Sequence, residues 1–254
     1  MSLSTAFNIA QSSLLNSSRQ TSVLARNIQE SNNPDYSRRT AVVASLAPGA
    51  RIVQVQRATH EQLFRQNLSA LADGSGQSAL SSGLEQLELT VFGVDNAASA
   101  ATAIGKLQEA LQTFSASPSN LSLAENAVNA AREVVTALNN GTAAIQTLRV
   151  DTDQQISEAV DGLNKLLQEF RTANDAVVTG VRAGRDVNDA LDTRDALLKK
   201  IAEYVPVTTL SRADGDVALL TSDGAMLFDK VPRAVTFQPS SACLLYTSPS
   251  PRDS

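Results

Sequence analysis

The sequence predicts a mainly α chain. It reads as an elongated rod of long, coiled-coil-like helices, with a short β-hairpin arm after the first helix and the start of a β domain at the C-terminal end. Three observations predict this. Apolar residues recur alternately four and three apart through much of the chain, the period of a two-helix seam. Aromatics make up only 4% of the 254 residues and Trp is absent, as in long helices packed by small side chains. After Val207 the period changes to two, with Asp-Gly pairs between the apolar runs.

The first element, within residues 1–38, is an amphipathic helix followed by a turn. Its seam is Leu3, Phe7, Ala10, Leu14, Ser17, Thr21, Leu24 and Ile28, and six of these eight positions are apolar. Pro34 lacks an N–H and drives Asn33 out of the α region, so the helix ends before Asn32-Asn33-Pro34-Asp35-Tyr36-Ser37-Arg38. Residues 39–205 read as a helical rod domain carrying an extended arm at 39–57. Within that arm, Thr40–Val43 and Ile52–Val55 are short strands flanking Pro48-Gly49.

Helical pattern resumes near Thr59 and runs to about Leu71, where Asp73-Gly74-Ser75-Gly76 breaks or loosens it. It returns as Leu80, Leu84, Leu87 and Val91, is interrupted at Gly93-Val94-Asp95, and continues from Ala100 to the stop at Ser117-Pro118. Ser122-Leu123-Ala124-Glu125 has the form of a capping box. Beyond it Val128, Ala131, Val135, Leu138, Ile145, Ile156, Val160, Leu163, Leu167 and Phe170 keep close to one heptad frame. Asn139-Asn140-Gly141 is a candidate kink, with the glycine costing roughly 1 kcal/mol against Ala. A helix unbroken from Leu121 to Asn174 would measure roughly 80 Å at ~1.5 Å per residue. Val177–Arg185 reads as a loop, and Val187 to Val205 as a further helix stopped by Pro206.

Residues 206–242 read as the start of an outer β domain. Its strands are Val207–Leu210, Val217–Leu220 and Ala225–Phe228, turned at Asp214-Gly215 and Asp223-Gly224. Cys243–Ser254 has no periodicity and is expected to be a non-native, adapter-derived tail, which makes the chain a truncated fragment.

Composition narrows the function classes. The formal net charge is −5, with a net +4 in the first 60 residues and −9 in the rest, a polarity that could help subunits associate but reads more as ordinary surface variation. No clustered basic face suggests nucleic acid. No apolar run reaches the roughly 18 residues of a membrane-spanning helix, and Met1–Asn16 lacks the basic start and apolar core of a Sec signal. Cys243 is the single cysteine, so no internal disulfide is available. These features taken alone describe a cytoplasmic protein.

Catalytic chemistry finds little support. His60-Glu61-Gln62-Leu63-Phe64 has Phe64 where a zinc-protease motif needs its second His. Gly105-Lys106-Leu107 lacks the rest of a phosphate loop. Asp214, Asp216 and Asp223 suit hairpin turns better than a calcium loop, whose closing Glu is missing. Asp189, Asp192 and Asp195, at i, i+3 and i+6 on the start of a helix, read as charge favoured by the helix dipole rather than as metal ligands. No metal, cofactor or catalytic residue is expected.

Two stretches carry a family resemblance. Asn27-Ile28 followed by Asn32–Arg38 resembles the N-terminal signature of bacterial flagellar axial proteins, the rod, hook and hook-associated group. The Tyr36-Ser37-Arg38 ending looks most like the FlgK family of the hook–filament junction. Asn188–Leu198 resembles a second motif of that family, Asp-x-x-Asp-x-Arg-Asp-x-Leu, here with Asp189, Asp192, Arg194, Asp195 and Leu198. Two departures are visible. Glu30 stands where the family usually has Asn, and Asp35 where it usually has Gly; Asp tolerates a left-handed turn better than most residues.

The resemblance implies a structural subunit that polymerises through its terminal helices to join hook and filament. The expected assembly contact is Leu3, Phe7, Ala10, Leu14, Leu24 and Ile28, with Asn27, Pro34, Tyr36, Ser37 and Arg38 shaping the exit turn. Implied partners are other copies of the chain, the hook protein, the next junction protein, the export apparatus and a dedicated chaperone bound at the missing C-terminal part. The implied location is the extracellular flagellum, reached by type III export without a cleaved signal. Read without the resemblance, the periodicity also suits a soluble coiled-coil adaptor or chaperone-like module.

Overall fold

A computed structural model describes residues 3–46, 49–93 and 96–239. Its elements are α1 (Leu3–Gln29), β1 (Arg39–Leu46), β2 (Gly49–Arg57), α2 (Glu61–Leu87), a π-helical turn (Glu88–Phe92), α3 (Ala100–Ala116), α4 (Leu121–Arg182) and α5 (Asn188–Ala202). The strands β3 (Val207–Ser211), β4 (Val217–Thr221), β5 (Met226–Asp229) and β6 (Val231–Pro232) follow. The turn at Pro48, the interruption at Val94-Asp95 and the tail at 243–254 lie outside the described residues. The chain divides into two compact units. One runs to Gly74 and includes Gly162–Val235; the other includes Ser75–Asp161.

In the first unit, β1 and β2 form an antiparallel hairpin running from Arg39↔Arg57 to Leu46↔Gly49. Val42 faces Gln54 and Val43 faces Ile52, so Val53 is the extra residue of a bulge. The core collects Leu163, Leu167 and Phe170 of α4, Leu198 and Ile201 of α5, Leu219 and Phe228 of the sheet, and Leu68 of α2. Phe170 and Phe228 meet edge to face, with ring centroids 5.0 Å apart. The sheet is a four-stranded antiparallel meander in the order β3-β4-β5-β6. Gly215 (φ +84°) and Gly224 (φ +87°) each close a three-residue loop, whose last position is left-handed and suits glycine.

The second unit is packed by small residues. Its buried apolar side chains among the described residues are Ala103, Ala127, Ala130 and Ala137. This corrects the heptad reading of α4. Leu163, Leu167 and Phe170 are buried, but Val128, Val135, Leu138, Ile145 and Ile156 are exposed. The buried positions of α4 in this unit are instead Ala127, Ala130 and Ala137.

Three boundaries also differ from the sequence reading. α2 runs through Asp73–Gly76 without a break, and those glycines coincide with the boundary between the units. α4 is one helix to Arg182, so Val177–Arg182 is helical rather than loop. Val177 is buried, and Gly180 lies so close to the Val187 side chain that a Cβ there would overlap it. Asn120, rather than Ser122, caps α4: its Oδ1 accepts the Ser122 N–H at 3.1 Å, and Ser122 and Glu125 already lie inside the helix.

Candidate functional site

The site forms where the turn after α1 meets α5, both in the first unit. The turn is built from its own side chains. Asn33 Oδ1 accepts the Asp35 N–H at 3.0 Å, a local Asx turn, while Asn33 Nδ2 donates to Glu30 Oε2 at 2.9 Å. Asn27 bonds back across the turn. Its Oδ1 accepts from the Tyr36 hydroxyl at 2.8 Å and from the Arg39 N–H at 2.9 Å, and its Nδ2 donates to the Arg39 carbonyl at 2.8 Å. Both departures from the family pattern are used, since Asp35 accepts from Lys199 Nζ at 3.0 Å. Asp35 is not in the left-handed region; Lys230 is the one non-glycine residue with positive φ among the described residues.

The second motif supplies the opposing charge. Asp189, Asp192, Asp195 and Lys199 line one stripe of α5. Asp189 pairs with Arg26 at 2.6 Å and with Arg39, and Asp192 takes Arg39 at 3.0 Å and Arg57 at 2.8 Å. Arg57 also pairs with Asp195 and donates to Ser37 Oγ at 3.1 Å. The Ser37 N–H reaches Asp192 Oδ1 at 3.3 Å, and Lys199 donates to the Pro34 carbonyl at 3.0 Å. Side-chain exposure is 5% for Arg39 and 11% for Asp192, against 66% for Asp189. The Arg39 guanidinium also lies 5.0 Å from the centre of the Tyr36 ring.

Burial raises the Asp189 carboxyl, but hydrogen bonds from Arg39 and Arg26 outweigh it and hold the group below the ordinary aspartate value. Burial likewise lowers Arg39, yet its bonds to Asp189 and Asp192 leave it above the usual arginine value. Beyond the helix dipole, the carboxylates of these three acids are taken by arginines. The same pairs correct the reading of the N-terminal +4 charge as ordinary surface variation. Arg26, Arg39 and Arg57 belong to that excess and are matched inside the chain.

The other residues of the second motif face inward. Arg194 donates to Asn174 Oδ1 at 3.1 Å and to the Gly215 carbonyl, and Leu198 is in the core. Arg38 is exposed, and its carbonyl accepts the Ala58 N–H at 2.7 Å. His60 Nδ1 accepts the Leu63 N–H at 3.1 Å at the start of α2. The hairpin acids are also engaged: Asp214 by Arg182, Asp216 by Asn174 and Arg212, Asp223 by Thr221. Among the described residues no cluster of three or more His, Cys, Asp or Glu side chains is placed to hold a metal ion. No described helix is long and apolar enough to cross a membrane.

The apolar stripe lies on the other side of α1. Leu3 is 89% exposed and Ile28 74%, and Phe7, Ala10, Leu14 and Leu24 are exposed with them. The half-buried residues Ile9, Ser12, Asn16, Val23 and Asn27 form the face toward the hairpin. There Asn16 donates to the Ala50 carbonyl and accepts the Ile52 N–H at 3.1 Å. Arg39, Arg57, Arg26 and Lys199 escaped the sequence reading. The sequence holds a row of acids at i, i+3 and i+6 and an excess of arginine near its start, but not which of them pair.

Residues 84–241 match the family model described as "Flagellar hook-associated protein FlgK helical domain", a span that contains the second motif. Flagellar hook-associated protein 1 of Escherichia coli (strain K12) is 27% identical over 263 residues, covering 94% of this chain and 46% of that protein. Flagellar hook-associated protein 1 of Salmonella typhimurium is 24% identical over 257 residues, covering 94% and 45%. The chain thus spans about half the length of these curated relatives. The solved structure of the flagellar hook junction protein FlgK from Burkholderia pseudomallei shares the fold with a TM-score of 0.51 at 20% identity, covering 65% of this chain and 29% of that one.

Proposed function

This chain belongs to the FlgK family of flagellar hook-associated proteins, and from that premise we propose that it is a structural subunit of the bacterial hook–filament junction. It assembles through α1, and its partners are further copies of the chain, the hook protein and the next junction protein. Its place is the extracellular flagellum, reached by export without a cleaved signal. Binding is spread over helix faces, and the reading assigns the chain no catalytic step.

One observation carries this reading. α1 turns Ile9, Ser12, Asn16, Val23 and Asn27 to the hairpin and leaves Leu3, Phe7, Leu14, Leu24 and Ile28 exposed along the opposite stripe. A stripe of that width suits one further helix. The turn motif supports the reading by fixing how the chain passes from α1 into β1. Leu14→Asp in the full-length protein tests it, because an unpaired carboxylate in an apolar contact costs several kcal/mol. The expected result is exported protein recovered from the medium, bare hooks and lost swimming. Normal swimming removes α1 as the assembly contact.

A further inference from the structure

We infer that α1, the turn and the β1–β2 hairpin form a preassembled arm seated on α5 by a charge-held joint, which lets go of the arm as one body when the joint's charges are removed and leaves the apolar core of the same unit folded. This stands on the geometry alone and is independent of what the arm contacts in an assembly.

The arm is internally bonded. Asn16 joins α1 to β2 through two backbone groups, and Asn27 joins α1 to the start of β1 through three hydrogen bonds counting the Tyr36 hydroxyl. The attachment to the rest of the unit is of another kind. No residue before Phe64 belongs to the apolar cluster or packs against it among the described residues. Arm and α5 are joined instead by four cations and four anions: Arg26, Arg39, Arg57 and Lys199 against Asp35, Asp189, Asp192 and Asp195. Neutral hydrogen bonds add little, chiefly Asn188 Nδ2 to the Val55 carbonyl at 2.9 Å.

Open space flanks the joint on both sides. A cleft of about 880 Å³ separates Pro34, Asp35 and Ser37 from Leu63, Phe64 and Leu198. A second, of about 640 Å³, is lined by Val23, Ile52 and Val53 of the arm and by residues 184–187.

Charge is a conditional adhesive. Desolvation of a buried pair offsets much of its Coulomb gain, while removal of one partner leaves the other charge buried and alone. Asp192 serves Arg39, Arg57 and the Ser37 N–H together, so its loss weakens three contacts at once. The arm's own bonds use none of these carboxylates.

The test uses the full chain with Cys243→Ser and spin labels at Ser18→Cys on α1 and Lys200→Cys on α5, both exposed sites. In the parent, the label–label distance distribution is expected to be narrow. In Asp189→Asn/Asp192→Asn it should broaden at least twofold, with helix content and the cooperative thermal transition of the core retained. Arg39→Gln/Arg57→Gln, which removes the joint's charge from the other side, should do the same. A narrow distribution in both variants overturns the inference. So does loss of helix signal and cooperative melting along with the broadening, because the pairs would then be holding the core and not the arm.

Discussion

Asn174 and Asp216, 42 positions apart, meet in the interior of the first unit, where Asn174 Nδ2 donates to Asp216 Oδ1 at 2.6 Å. The same amide's oxygen accepts from Arg194 at 3.1 Å and from the Val217 N–H at 3.1 Å. One buried side chain thus fastens α4 to α5 and to the first residue of β4.

Asn174→Ala should therefore destabilise the core by ~3 kcal/mol, since it leaves buried donors and acceptors, one of them charged, without partners. Urea denaturation followed by circular dichroism measures it. A loss under about 0.5 kcal/mol, the scale of a remote surface change, would show that water replaces the amide fully.

Asn27→Ala removes the three hydrogen bonds that close the turn around Tyr36 and Arg39. The expected outcome is faster amide exchange at Tyr36 and Arg39, with core amides of α5 unchanged. Uniform acceleration through Leu197–Ile201 would mean that the turn supports the core.

Phe228→Ala empties the partner space of Phe170, and a cost of about 3–5 kcal/mol is expected. Gly180→Ala probes the opposite kind of error. Its new methyl meets the Val187 side chain, so a loss of about 1–3 kcal/mol is expected. Val187→Ala in the same chain should return most of that loss. A double-mutant cycle with no coupling would refute the close approach.

Acid should weaken the unit in a defined window. Burial raises the Asp189 and Asp216 carboxyls, but hydrogen bonds lower both below the ordinary aspartate value: Arg39 and Arg26 act on Asp189, Asn174 and Arg212 on Asp216. A depressed native pKa means the unfolded chain takes up protons first as pH falls. The stabilisation is therefore present above about pH 4 and lost as pH drops through the lower native values. The groups facing Asp189 are Arg26 and Arg39, and those near Asp216 are Arg212, Arg194 and Asp214. Urea midpoints should stay level between about pH 5 and 7 and fall below about pH 4. Asp216→Asn should reduce that acid slope, and an unchanged slope would place the linkage elsewhere.

Periodicity made the element order legible, including the hairpin arm, the long α4 and the meander after Pro206. It misjudged α2, because it weighed Gly74 and Gly76 as breakers without knowing how Leu68 and Leu71 seat the turn before them. It misjudged α4, because a heptad frame through Val128, Val135 and Leu138 is visible in one dimension while the competing alanine stripe carries almost no hydropathy signal. Both motifs of the site were legible separately. Their meeting was not, because pairing between Arg39 and Asp192 is a property of the closed chain and no local pattern encodes it.

The distance along the chain between those two residues has a kinetic side. Arg39 and Asp192 are 153 positions apart, so their contact closes a very long loop. Closing such a loop costs entropy that grows only slowly with length, but it must be met before the contact returns anything, and non-local contacts form late for this reason. Synthesis runs from the N-terminus, so Arg26, Arg39 and Arg57 emerge long before the acids that neutralise them. During that interval α1 carries both an apolar stripe and unmatched positive charge. Pulse-labelling hydrogen exchange during refolding is therefore expected to protect Leu197–Ile201 before Arg39, and simultaneous protection would refute this order.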